Sequence, residues 1–200
     1  MMHYCITTEI NKHLHFSNEI RLHIGGLAPD LTHPIYAPKA ITHLVELNNK
    51  GKKRINYDLF IQKHRQYFND SFFVGYLSHL VADYLWYDMM YCKFIRTLPD
   101  IERQGAIDKG YRDFRRLNKI LLQHYQLTQI VNIPEINNVS IEGLYTEYIP
   151  VIVNQLNDDF KEEQMENNES LEIYNLESVL DYINLSIRKT ISLLSTVWVS

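Results

Sequence analysis

The stretch Phe72–Lys93 (FFVGYLSHLVADYLWYDMMYCK) constrains this chain more than any other. Apolar residues recur at Tyr76, Leu77, Leu80, Val81, Tyr84 and Leu85, a helical period, with no Pro and no interior Gly other than Gly75. That pattern predicts one long helix. Asp70 or Ser71 can cap its start by accepting a hydrogen bond from a backbone N–H that has no partner within the helix. His79 and Asp83 are four residues apart, so they share a face with Cβ atoms about 5–6 Å from each other. An imidazole nitrogen and a carboxylate oxygen so placed can both reach one divalent cation. Gly75 and Ala82 leave the same face open to close approach, either by further metal ligands or by a neighbouring helix. By itself an H-x3-D spacing more often marks a hydrogen-bonded core His and its partner. Further ligands must therefore come from the rest of the chain.

Two hundred residues fit one domain spanning 1–200, long enough to bury a substantial core. The hydrophobic fraction of 46% and charged fraction of 22% are those of an ordinary globular protein and exclude a disordered one. With only 7 Gly and 6 Pro, and long runs free of both, the expected fold class is all-α: a compact, multi-helical domain. A net charge of −4 makes no general case for nucleic acid or an anionic membrane surface as partner. Cys5 and Cys92 form no C-x-x-C and are expected to stay reduced. MMHYCITTEINKHLH lacks the basic start and apolar core of a secretion signal, and no apolar run approaches the roughly 18 residues of a membrane span. A soluble, cytoplasmic protein is the expectation.

Taken in order, His3–Leu14 predicts a first helix on Ile6, Ile10 and Leu14. In the next segment, through Leu44, Gly25–Gly26 permits tight packing or a turn, while Pro29, Pro34 and Pro38 exclude a long helix and predict an ordered loop. It carries the ligand types His23, Asp30, His33 and His43. Lys50–Arg54 (KGKKR) reads as a solvated basic turn. Helices are predicted over Tyr57–Phe68, Asp108–Leu127, Ile141–Phe160 and Leu171–Leu194, with the acidic linker KEEQMENNES between the last two. On the Asp108–Leu127 helix, Arg112, Arg115, Arg116 and Lys119 fit a plain solvent face better than a phosphate site. His64, between Lys63 and Arg65, reads as exposed. Trp86 and Tyr87, one turn past Asp83, can line a pocket mouth, although aromatics at helical spacing usually belong to the core.

Zinc takes His nitrogens and carboxylate oxygens, usually four, at roughly 2.0–2.2 Å. Asp30 and His43 are candidates to complete a shell with His79 and Asp83, and His3 heads the first helix. Spacing alone does not choose among His3, His13, His15, His23, His33 and His43. Nine His, seven of them before residue 65, are the least ordinary feature of the composition.

The segments MHYCITTEI, GGLAPD, KAITHL and GYLSHLVADYLW, in this order, resemble the zinc-dependent phospholipase C family, and more closely its short bacterial members. The likeness covers roughly residues 2–95. It implies a compact all-α domain of the phospholipase C/P1 nuclease type and the metal ligands His3, Asp30, His43, His79 and Asp83. It also implies Asp30 as the catalytic base that activates the attacking water. The implied cofactor is a divalent metal of the zinc type, one ion and at most two, with Asp83 able to bridge a pair in which one ion is held by Asp30, His43 and His79 and the other involves His3. The implied chemistry is hydrolysis of a small-molecule or lipid phosphoester by metal-activated water.

The chain departs from that family in its later ligands. After Asp83 the only His is His124, followed at i+4 by Thr128, so the further H-x3-E is missing. The freed N-terminal ligand of the secreted enzymes also lacks its signal here. A trimetal site is therefore not assembled, and phosphatidylcholine is a poor candidate substrate. His13, His15, His23 and His33 are read first as ordinary structural or surface residues; the alternatives are a second contact near Asp30 for His33 and a place in the site for His23. The rival reading is a catalytically inactive, metal-stabilised helical binding protein. An HD-type phosphohydrolase is disfavoured by the absence of any His-Asp dipeptide.

Overall fold

In a computed structural model the helix at the centre of the sequence is also the centre of the molecule. The structure describes residues 1–31, 38–49, 51–162 and 170–199. The chain runs α1 (Met2–Leu14), α2 (Glu19–Leu27), a 3-10 turn (Ala28–Asp30), α3 (Lys39–Thr42), the strands β1 (Val45–Leu47) and β2 (Lys53–Ile55), then α4 (Tyr57–His64). It continues through α5 (Ser71–Trp86), a π-helical extension (Tyr87–Ile95), α6 (Asp100–Tyr125), α7 (Ile149–Glu162) and α8 (Leu176–Val199). The molecule is mostly helical, 71% helix against 3% strand, in one compact domain. The strands form an antiparallel hairpin with Val45 opposite Ile55, so Lys53 and Arg54 of the expected basic turn belong to β2, while Lys50 lies outside the described residues.

Every residue of α5 from Ser71 to Ala82 is buried. It packs against α1, α2, α4 and α8. Each large apolar side chain it buries, such as Phe72, Tyr76, Leu77 and Leu80, contributes about 1.5–3 kcal/mol. Asp70 caps it, accepting from Phe72 N at 3.0 Å. The same carboxylate is gripped by both Nε and Nη2 of Arg21 at 2.6 Å, which ties the start of α2 to the start of α5.

Glycines set how closely these two helices cross. A Cβ on Gly75 would lie 2.0 Å from the Leu22 carbonyl oxygen, and one on Gly25 would lie 2.1 Å from that of Phe72. The open face seen in the sequence thus admits a neighbouring helix at Gly75. Of tight packing and a turn at Gly25–Gly26, the structure has tight packing: the pair belongs to helix α2, where backbone contact with α5 rewards helical Gly beyond its propensity cost.

Several boundaries differ from the sequence expectation. Helix α6 starts at Asp100, directly after Pro99, with Asp100 and Glu102 in its first turn. Helix α8 starts at Leu176, because the backbone N–H groups of Glu172, Ile173 and Tyr174 donate to the fully buried carboxylate of Asp113 instead of entering a helix. Helix α7 is delayed to Ile149 by a turn in which Gly143 has φ 78°. The Phe72–Lys93 stretch begins as α-helix and becomes π-helical from Tyr87. Among the described residues no helix is long and apolar enough to cross a membrane.

Candidate metal centre

His79, on the third turn of α5, is completely buried. Its Nδ1 lies 2.8 Å from the Gly26 carbonyl oxygen. A carbonyl can only accept, so Nδ1 carries the proton and Nε2 presents a bare lone pair in the neutral ring. The close α2–α5 crossing supplies this contact, since Gly26 is the residue that meets Gly75.

His43 is prepared in the same way. It caps the C-terminus of α3, and its Nδ1 lies 2.9 Å from the Lys39 carbonyl oxygen. The Tyr76 hydroxyl donates to the Thr42 carbonyl at 2.7 Å, and the Thr42 hydroxyl donates to that of Pro29 at 2.8 Å. These bonds dock the Asp30 turn and α3 against α5. In their neutral forms both imidazoles therefore aim a bare Nε2 at one point, and the two nitrogens are 3.1 Å apart.

Two carboxylates close on the same point. Asp83 Oδ2 is 3.3 Å from His43 Nε2 and 3.6 Å from His79 Nε2. Asp30 Oδ1 is 3.5 Å and 3.9 Å from those nitrogens. Bonds of about 2.1 Å in a tetrahedral shell set neighbouring donors about 3.4 Å apart. The observed separations bracket that value. Four lone-pair donors so close repel one another unless a positive charge joins them. A proton on one His satisfies a single contact, whereas a divalent ion satisfies them all.

His3 stacks on His79, with ring centroids 3.7 Å apart and planes 15° from parallel. Its Nε2 lies 3.3 Å from Asp83 Oδ1, the carboxylate oxygen turned away from His43 and His79. His3 Nδ1 is buried without a hydrogen-bond partner. Two overlapping sets, His3–His79–Asp83 and Asp30–His43–His79, could each hold a metal ion. All five residues anticipated from the sequence converge, and the two oxygens of Asp83 face different members of the cluster.

The electrostatics agree with a cation-seeking cluster. Burial alone would raise the carboxyl of Asp83, but His79, His3 and His43 outweigh it and hold it well below the ordinary range. Asp30 is held low in the same way by His79, His43, His3 and Lys39. For His43, burial is outweighed by the two carboxylates, and its pKa is raised. Burial and the neighbouring His79 lower that of His3. Lys39 Nζ lies 2.6 Å from Asp30 Oδ1, an ion contact not aligned as a hydrogen bond.

His3, Asp30 and Asp83 line a cleft of about 600 Å³, with His43 and His79 buried behind them. Trp86 and Tyr87 line it, as expected for a mouth, although Trp86 also packs edge-on against Phe114, Tyr174 and Tyr182. Cleft residues that the sequence reading passed over are Lys39, Lys53, Arg54, Tyr111 and Phe114. Lys39 was visible one helical turn before His43. Nothing local marked Arg54 or Tyr111, which reach the cleft only through tertiary packing.

The other histidines lie elsewhere. His13, His15 and His124 are exposed. His23 is buried away from the cluster: its Nδ1 donates to the Thr7 hydroxyl at 2.9 Å, which itself donates to the Tyr4 carbonyl. His33 lies outside the described residues. His64 is half-buried against Phe60 and Phe73 rather than exposed, because α4 turns that face onto α5. Arg112 and Arg116 hold Glu172, with Nε and Nη1 each 2.7 Å from its Oε1, instead of facing a ligand. Cys5 and Cys92 are free thiols, and burial pushes that of Cys5 up to about 12. Comparison with protein-family models, curated proteins and solved structures finds no match for this chain.

Proposed function

We infer that this protein is a metal-dependent hydrolase of phosphoesters, with a zinc-type ion held by Asp30, His43, His79 and Asp83 and with His3 able to join Asp83 around a second. The observation that carries this reading is the pair of Nε2 atoms 3.1 Å apart, buried behind two carboxylates, Asp30 and Asp83, that line an open cleft. Four protein donors complete a tetrahedral shell, so catalysis requires that Asp30, the ligand exposed to the cleft, yield its place to water; its exposure there favours catalysis over the purely stabilising role. An ion bound there supplies an activated water at neutral pH and polarises a phosphoryl oxygen.

The chain's own residues divide the remaining work. The Gly26 and Lys39 carbonyls fix the tautomers of His79 and His43, so both present nitrogen lone pairs without rearrangement. Asp83 stays ionised and bridges the two halves of the cluster. Asp30 is one-third exposed at the cleft, where its carboxylate can orient a water and take its proton. Lys39 beside it places a fixed positive charge where a phosphoryl group gathers negative charge.

The test is hydrolysis of bis(p-nitrophenyl) phosphate and p-nitrophenyl phosphate by protein loaded with zinc, manganese or iron. Turnover of either ester that chelation abolishes, metal return restores and Asp30→Asn reduces by at least about a hundredfold supports the reading. No turnover of either ester by fully loaded protein would leave the metal-stabilised binding protein as the better account.

A further inference from the structure

One cation in the cleft is incompletely used. Arg54, on β2, is four-fifths buried. Its Nη2 bonds Asp88 Oδ2 at 2.6 Å, and its guanidinium lies over the rings of Tyr84 and Tyr87, 4.4 and 4.7 Å from their centroids. These three contacts fix the planar group in place. Its Nη1 is nevertheless buried and makes no aligned hydrogen bond, although the Tyr84 side chain also interacts with the guanidinium, and a buried charged donor so placed is costly. Arg54 lines the same cleft as Asp30, Asp83, Lys39 and Lys53. With a divalent ion on the floor, the cleft carries an excess of positive charge.

The aromatic faces argue in the same direction. Tyr84 and Tyr87 could receive a quaternary ammonium through their π-faces, but the protein's own guanidinium already covers both. We propose that Arg54, with Lys53 beside it, forms a second anion-binding subsite in the cleft, so that the substrate is a small phosphoester bearing another phosphate or carboxylate group and no cationic head group. This rests on the hydrolase reading for the scissile phosphate, while the subsite itself stands on Arg54.

The test is calorimetric binding of methylphosphonate, phosphonoacetate, methylenediphosphonate and phosphocholine to metal-loaded and metal-free protein, with retained metal measured after each titration. The loaded wild type is expected to bind phosphonoacetate or methylenediphosphonate at least about tenfold more tightly than methylphosphonate, the return on one charge-assisted hydrogen bond. Whichever of the two binds better identifies the second anion as carboxylate or phosphate. Arg54→Gln should remove this preference at unchanged helicity and metal content, and Arg54→Lys should keep part of it. A preference unchanged in Arg54→Gln, or phosphocholine bound as tightly as phosphonoacetate, would overturn the subsite while leaving the metal centre intact. An Arg54-dependent preference in a protein that takes up no metal would uphold the subsite and remove the hydrolase reading.

Discussion

The contact between α2 and α5 makes a quantitative demand on Gly75. Adding a methyl group there puts Cβ 2.0 Å from the Leu22 carbonyl oxygen and 2.7 Å from the Gly26 nitrogen. Both obstacles are backbone, so no side chain can rotate out of the way. Restoring an ordinary contact of 3.4 Å requires the helices to part by about 1.4 Å. Overpacking of this kind costs about 1–3 kcal/mol or more. The same separation stretches the 2.8 Å bond from His79 Nδ1 to the Gly26 carbonyl, and a lost buried hydrogen bond costs about another 1 kcal/mol. The better helix propensity of Ala returns about 1 kcal/mol. Gly75→Ala should therefore lose about 1–3 kcal/mol in urea unfolding of the metal-free protein. It should also weaken zinc binding by about 10–100-fold, as expected when the group orienting a metal-binding His is displaced. Gly105→Ala is the control: nothing lies within 4 Å of its Cβ position on α6, so it should gain about 0.5–1 kcal/mol and leave the metal site alone. A Gly75→Ala protein as stable as the wild type, with unchanged zinc affinity in chelator competition, would refute the claim that this crossing sets the site.

Two further outcomes follow from buried polar groups. Burial lowers the pKa of His23 from 6.5 to about 4, so the folded state takes up this proton less readily than the unfolded chain. Its stabilising contribution is full above about pH 6.5 and is lost as pH falls toward 4. The wild type should lose about 2 kcal/mol more than His23→Gln between about pH 7 and pH 5, a comparison that cancels the opposite effect of His43, whose raised pKa adds stability as pH falls. Equal losses in urea titrations at the two pH values would contradict this. Asp113→Asn removes one of two carboxylate oxygens that together accept three backbone N–H groups from residues 172–174. It should cost about 2–4 kcal/mol and raise hydrogen exchange in the segment leading into α8. An unchanged unfolding midpoint would show that this carboxylate does not anchor the segment.

What the sequence revealed and what it concealed divide along physical lines. The period around Leu77, Leu80 and Tyr84 identified α5, and the four-residue spacing of His79 and Asp83 placed them on one face, because helical geometry is local. His3, Asp30 and His43 could not be selected by spacing alone; they entered through the family likeness, and their convergence depends on α1, the 3-10 turn and α3 all docking on α5. Of the two readings open at Gly25–Gly26, tight packing holds and the turn does not: the pair lies in a helix, Gly25 against the α5 backbone, and the propensity penalty is offset across the interface. The late starts of α7 and α8 were hidden for the opposite reason. Residues 172–174 have helical neighbours, yet their N–H groups go to Asp113, some sixty positions earlier in the chain. Arg54 stood within a basic run that suggested solvent, and only the pairing of β2 with β1 beside α5 brings it over Tyr84 and Tyr87.

The account stands or falls on metal content. Elemental mass spectrometry should be made on untagged protein, with the wild type beside His79→Ala and Asp83→Asn. Near-stoichiometric zinc, manganese or iron in the wild type, lost from both variants while their helical circular dichroism persists, is the predicted result. No bound metal in the wild type, even after incubation with each ion, would contradict it and leave His43, His79, Asp30 and Asp83 as a proton-linked polar cluster of the core.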